Sequence, residues 1–193
     1  MNFLKTQANL SVSCHKQVAS PDLIPTPFSF VNNNLTGILC LLLFLAFLTP
    51  IPAFAKDPKS VDEILKLKTA PSGVVIEIVT WDGDNLQWAL PRAKGYIKQM
   101  RTAFPKLPVA IVTHGAEQFA LTKDEKENNK EVHQLVKSFG NDDVPVHVCE
   151  TFAGWRGLSA NDFPDYVNVA AAGPAQVNDY IAIGYELILI KDK

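Results

Sequence analysis

Cysteine is scarce in this chain. The 193 residues include three, Cys14, Cys40 and Cys149, and two of them fall inside an N-terminal segment that reads as removable. A mature chain would then carry one thiol, which excludes a scaffold held by intramolecular disulfides. Blocks of basic residues are also missing, and this makes nucleic acid and anionic membrane surfaces poor partners. No glycine-rich phosphate loop follows the first strand-like run. Its place is taken by Trp81-Asp82-Gly83-Asp84, whose carboxylates repel phosphate, so neither a nucleotide nor a flavin cofactor is expected. There is no Gly-x-Ser-x-Gly elbow for a hydrolase. Histidine and cysteine do not fall at metal-ligand spacing, so no metal is expected either. Internal repeats and low-complexity tracts are absent.

One long hydrophobic run is present, at residues 38–48, and it is short of the roughly 20 residues that span a bilayer. Pro50 and Pro52 break it, and Ala53-Phe54-Ala55 fits a peptidase site. Residues 1–55 therefore read as a signal peptide cleaved after Ala55; the alternative is an uncleaved segment that anchors the protein to a membrane. The stretch before the core is long, and its charges, Lys5 and Lys16, lie far from Leu35. A misplaced start codon accounts for both features. Cys40 does not fit a lipoprotein cysteine, because Leu39 stands where a small residue is needed. A periplasmic or secreted location follows, in an oxidising compartment where Cys149 is left free, capped or paired with another molecule. The chain has 18 basic and 20 acidic residues; removing Lys5, Lys16 and Asp22 leaves the remainder mildly acidic.

Residues 56–73 read as a leader with a short helix around Val61-Asp62-Glu63-Ile64-Leu65, and residues 74–193 as one α/β domain. Residues 74–81 are β-branched and nearly continuous, as in a strand covered on both faces. Leu90, Ala93, Ile97, Met100 and Phe104 recur at helical spacing, and Pro91 suits the first turn of that helix. A second strand covers 109–113 and ends at His114-Gly115. Val132, Leu135, Val136 and Phe139 form the stripe of a further helix. Thr122-Lys123-Asp124-Glu125 has capping-box form and predicts its start near Thr122, with a charged run on its solvated face. A third strand covers 144–148, a short fourth 167–170, and a fifth 185–190. Gly173-Pro174 opens the last helix and Gly184 stops it. Alternating strands and helices give a three-layer α/β/α sandwich around a mostly parallel, five-stranded sheet.

The run Val146-His147-Val148-Cys149, followed by Arg156-Gly157-Leu158 and preceded by a strand ending in His114-Gly115, resembles the DsrE/DsrF-like family (sulfur-relay, TusD-like). Ala171-Ala172-Gly173-Pro174-Ala175-Gln176 and Gly184-Tyr185-Glu186-Leu187 agree with that family's C-terminal half. The resemblance covers residues 74–191 and implies a flavodoxin-like fold, homo- or hetero-oligomers, and a cysteine at position 149 that accepts sulfur as a persulfide. A sulfur donor or acceptor protein, or a small thiol, would be its partner. The well-described carriers are cytoplasmic, so an export signal departs from their pattern. If strand order follows the family, the first and third strands are neighbours and Cys149 opens into the crevice between them.

Cys149 and His114 are the candidate catalytic residues; Glu150, Thr151, Gly115 and Arg156 are candidates for substrate binding. A helix N-terminus after Cys149 favours a thiolate, with the amides of Glu150 and Thr151 facing the anion, whereas the Glu150 carboxylate opposes it. Arg156 lies two helical turns on and pairs with the sulfur only if the helix breaks at Gly154. His147 shares a strand face with Cys149 and reads as a satisfied buried imidazole. Glu117 reads as a helix-start carboxylate, and Trp81 and Trp155 as core or subunit-contact aromatics. The competing reading of Cys149 is a small buried residue. The protein is then a non-catalytic oligomeric binding or scaffold module. A carrier cycle transfers sulfur rather than turning over a small substrate, so the sequence assigns no enzyme class.

Overall fold

The computed structural model describes residues 56–192; the signal-peptide expectation for residues 1–55 lies outside them. Five strands form one parallel sheet: β1 (Gly73–Val79), β2 (Val109–Thr113), β3 (Val146–Cys149), β4 (Asn168–Ala170) and β5 (Tyr185–Lys191). Their spatial order is β4-β3-β2-β1-β5. The first three crossovers each return to the adjacent position, and the last jumps back to place β5 beside β1. The expected contact between first and third strands does not form. β2 stands between them, with Ile111 paired to Ile76 on one side and to Val146 on the other. Every residue of β2 is buried, which suits it to the middle of a sheet covered on both faces.

Strand alternation sorts the side chains into two layers. Val74, Ile76, Ile78, Ile111, Val146, Val148, Ile188 and Ile190 point to one face and form the main core with α2 (Leu86–Ala103) and α3 (Lys130–Asn141). Val75, Val112 and Leu187 point the other way, against Val177 of α5 (Gly173–Ala182), with Tyr180 and Ile181 packed alongside. The cover on this second face is thin. A helix is about 10–12 Å across, and five strands spaced by about 4.8 Å span about 19 Å. The carboxyl ends of the strands on the α5 side therefore stay open.

The segment expected to be a leader is part of this unit. Its short helix α1 (Val61–Leu65) is held by a reciprocal capping box between Ser60 and Glu63. Val61 and Ile64 enter the main core. The Lys59 amide donates to the Leu187 carbonyl at 2.7 Å, and the ammonium groups of Lys56 and Lys59 lie 2.9 and 3.1 Å from Glu186. Burial pushes the Glu186 carboxyl up, and the two lysines more than reverse this, so it titrates below the ordinary range.

Two helices differ from expectation. α2 begins at Leu86, so Pro91 sits in its second turn and not its first. Asp82 caps the preceding Gly83–Asn85 turn by accepting from the Asp84 amide, which starts the helix early. The bond that Pro91 cannot make would have gone to the carbonyl of exposed Gln87, which water can serve. The helix expected near Thr122 starts only at Lys130. The Thr122 hydroxyl donates backwards to the Phe119 carbonyl at 3.0 Å, and the Lys123 amide is taken by Asp162, so the capping box never forms. At the other end α5 stops as expected, with Gly184 at φ +93°. Among the described residues no helix is long and apolar enough to cross a membrane.

His133 sits in this core and gives the fold an acid sensitivity. One ring nitrogen donates to the Ala120 carbonyl at 2.9 Å and the other lies 2.6 Å from the Tyr166 hydroxyl. Burial lowers its pKa below the ordinary histidine value of 6.5; the carbonyl bond works against this, and Lys126 and Lys137 add to the lowering. Burial lowers His147 in the same way. The unfolded chain therefore takes up protons first as the pH falls. Stability is full above the unfolded value and is lost as the pH drops through the folded ones. Urea midpoints should decline as the pH falls below the ordinary histidine value of 6.5, and His133→Gln should flatten that decline. An equal slope in the variant would remove His133 from the explanation.

Candidate functional site

The open carboxyl end of the sheet holds a crevice of about 420 Å³. Each strand end delivers its part: Val79 and Trp81 from β1, His114 and Gly115 from β2, Cys149 from β3, and, beyond β4, Ala172 and Pro174 from the N-cap and first turn of α5. α4 (Glu150–Gly154) and the residue after it supply Thr151, Phe152 and Trp155. The lining is mainly apolar, with the thiol and the imidazole as its chemically reactive groups.

Cys149 lies at the N-cap of α4. Its Sγ accepts from the Phe152 amide at 3.4 Å, and its own N–H donates to Gln118 Oε1 at 2.7 Å. It is 4% exposed, so it is reached from the crevice and not from the open surface. Gln118 is wholly buried and its Nε2 has no partner among the described residues; its reach to a residue 31 positions away left no mark in the sequence. The α4 amides are not arranged as expected. The Thr151 N–H and hydroxyl both donate to the Ala171 carbonyl, at 3.1 and 2.7 Å, and Phe152 reaches the sulfur instead. Glu150 is exposed and does not line the crevice.

Thr113 and Val148 are registered partners, so His114 and Cys149 follow side by side, one strand spacing of about 4.8 Å apart, with side chains on the α5 face. His114 Nε2 lies 2.7 Å from Glu77 Oε1, and because a carboxylate only accepts, Nε2 is the donor. Glu77 went unrecognised in the sequence. Its signal was its isolation: it is the one charged residue in the apolar run of β1, two residues before Val79 on the crevice face. Gly173 fits closely under His114, where a Cβ would strike the imidazole's own Cβ and Cγ. Gly115 has no room for a side chain either, being closed in by the Thr80 backbone and the Glu117 carboxylate.

Glu117 does not act as a helix-start carboxylate. Its side chain turns inward and is wholly buried. Oε2 accepts from the Thr80 amide at 2.8 Å and the Thr80 hydroxyl at 2.9 Å. Oε1 accepts from the Gly115 amide at 2.9 Å and from the Thr113 hydroxyl. The carboxylate thereby ties the ends of β1 and β2 together beneath the crevice.

Trp81 and Trp155 are not core residues. Each is 77% exposed, and both rim the crevice. Phe152 stands between Trp155 and Phe119, with ring centroids 5.4 Å from each. Arg156 is carried away from the thiol. α4 ends at Gly154, and the guanidinium lies over the Phe119 ring at 4.1 Å, facing a second cavity of about 370 Å³ with Lys123, Asp124 and Asp162. His147 is engaged as expected, its Nε2 2.9 Å from the Tyr180 hydroxyl. No group of histidine, cysteine and carboxylate side chains among the described residues is placed to hold a metal ion.

Fold and site together define a parallel α/β sandwich with a single thiol on the floor of a crevice at the carboxyl edge of its sheet. The profile of the DsrE/DsrF-like family matches residues 89–189, and the chain belongs to that family, which is linked to sulfur relay. Solved structures similar to it include the protein of unknown function MTH1491 from Methanobacterium thermoautotrophicum (14% identity, 61% of this chain and 99% of that one, TM-score 0.48). The ychN protein from E. coli is similar to the same extent (14% identity, 61% and 99% coverage, TM-score 0.46). A conserved protein of unknown function, BT1422 from Bacteroides thetaiotaomicron, is also similar (14% identity, 60% and 93% coverage, TM-score 0.38). No curated protein matches the sequence.

Proposed function

We propose that this protein carries sulfane sulfur on Cys149 as a persulfide and passes it to an acceptor thiol, in a compartment outside the cytoplasm. The observation that carries the reading is the position of the thiol: it floors an apolar crevice, beside an imidazole and beneath two exposed tryptophans. In loading, the Cys149 sulfur attacks the outer sulfur of a donor persulfide. A new S–S bond forms, the donor's S–S bond breaks, and the donor leaves as a thiol carrying the proton that Cys149 gives up. Unloading is the same exchange in reverse, with the acceptor as the attacking thiol, so no outside oxidant or reductant is needed. His114, oriented by Glu77, moves the proton between the two sulfurs. The exposed tryptophans and the thinly covered α5 face suit contact with a second subunit, so we include a homo-oligomer in the proposal.

A second reading is favoured by one observation, the burial of Cys149 and its use as a helix cap. The protein would then be a binding or scaffold module with a structural thiol. Thiol labelling of the folded protein separates the two. A carrier should react through its crevice at a rate within about tenfold of the denatured chain. Labelling only after denaturation would abandon the carrier reading in favour of the structural one.

A further inference from the structure

The crevice around Cys149 is lined by neither lysine nor arginine. The cation that the sequence places nearest, Arg156, is spent on Phe119 and opens to another cavity. The residues next in sequence to two of its lining residues are carboxylates instead. Exposed Asp82 follows Trp81, and exposed Glu150 follows Cys149. The adjoining groove shares Val79 and Trp81 with the crevice and adds Glu77 and Asp192, against Lys191 as its cation. Asp192 is fixed there, accepting from the Trp81 amide at 3.0 Å and from Asn85 Nδ2 at 2.7 Å. An anion entering by this groove meets two carboxylates against one lysine, whereas a cation finds those carboxylates and the faces of two tryptophans.

We infer that the site selects its sulfur source by charge: it takes sulfur from a neutral or cationic, apolar persulfide of low molecular weight and discriminates against anionic sulfane donors. The crevice volume of about 420 Å³ suits a small molecule. This rests on the reading of Cys149 as a sulfur acceptor and adds the substrate class. The exchange is balanced as before: R–S–S–H and Cys149–S–H give R–S–H and Cys149–S–S–H, with one S–S bond broken and one formed.

The test uses two persulfides matched in size and opposite in charge, 4-(aminomethyl)benzyl and 4-carboxybenzyl persulfide, with thiosulfate as a small dianion. Loading of the purified protein is followed by intact mass, and the added sulfur is assigned to Cys149 by peptide mapping. The amine should load at least about tenfold faster than the carboxylate at low salt, the difference should shrink as salt is raised, and thiosulfate should be slowest. Glu150→Lys, at an exposed position, should narrow the ratio several-fold. Equal rates for the matched pair, or a faster carboxylate, would overturn the charge selection while leaving Cys149 a sulfur acceptor. A ratio unmoved by both Glu150→Lys and salt would overturn it as well. No loading from any of the three donors would instead defeat the carrier reading, and this inference with it.

Discussion

Cys149→Ser is expected to take up no sulfane sulfur while keeping its fold. The first half follows from the chemistry, since a serine hydroxyl does not displace a thiol from a persulfide to form a bond of comparable use. Loading measured by intact mass should fall to background. The second half follows from the local structure. Position 149 is the N-cap of α4, where the sulfur accepts from the Phe152 amide. Serine is among the preferred residues at an N-cap, and the Cys149 amide keeps its bond to Gln118 whatever the side chain. The exchange should change stability by no more than about 1 kcal/mol. Loss of sulfur uptake with an unchanged urea midpoint then assigns the loss to the thiol itself. Uptake that persists in the serine variant, with the added sulfur mapped elsewhere, would move the carrier site away from this crevice.

Much of the architecture was legible because it rests on local pattern. β2 runs over the expected residues, 109–113, since five consecutive apolar or β-branched residues between a proline and a His-Gly pair leave few alternatives. The stop at Gly184 was equally plain, as a left-handed residue is needed there. What failed depended on contacts distant in sequence. Thr122 looked like a helix cap until Phe119 and Asp162 claimed its turn. Arg156 was expected to reach the thiol only through a break at Gly154; α4 does end there, but the guanidinium settles over Phe119 instead. Glu77 and His114 are 37 residues apart and meet only because β1 and β2 are adjacent. Trp81 and Trp155 were read as core or subunit-contact aromatics, and the core half of that reading fails because both stand exposed.

Glu117→Gln, nearly isosteric, should be among the most destabilising single changes in the domain. Both carboxylate oxygens accept from a backbone amide, Oε2 from Thr80 and Oε1 from Gly115. Whichever way a glutamine side chain is turned, its NH2 group meets one of those N–H groups, donor against donor. Rotation relieves the two threonine hydroxyls but not the amides, which are fixed by the backbone. The variant thus loses two or more bonds to a charged acceptor, each worth about 1.5–3 kcal/mol, and strands a buried N–H. A loss of about 3–5 kcal/mol follows, against a total stability of about 5–15 kcal/mol for a domain. Equilibrium unfolding in urea reads it directly. The loss should reach the crevice too, because Gly115 and Thr80 are tied by this carboxylate beneath it. Under conditions where the variant stays folded, Cys149 should therefore become more reactive to thiol reagents as its wall loosens. A stability change below about 1 kcal/mol would mean that these bonds of Glu117 are not what ties β1 to β2.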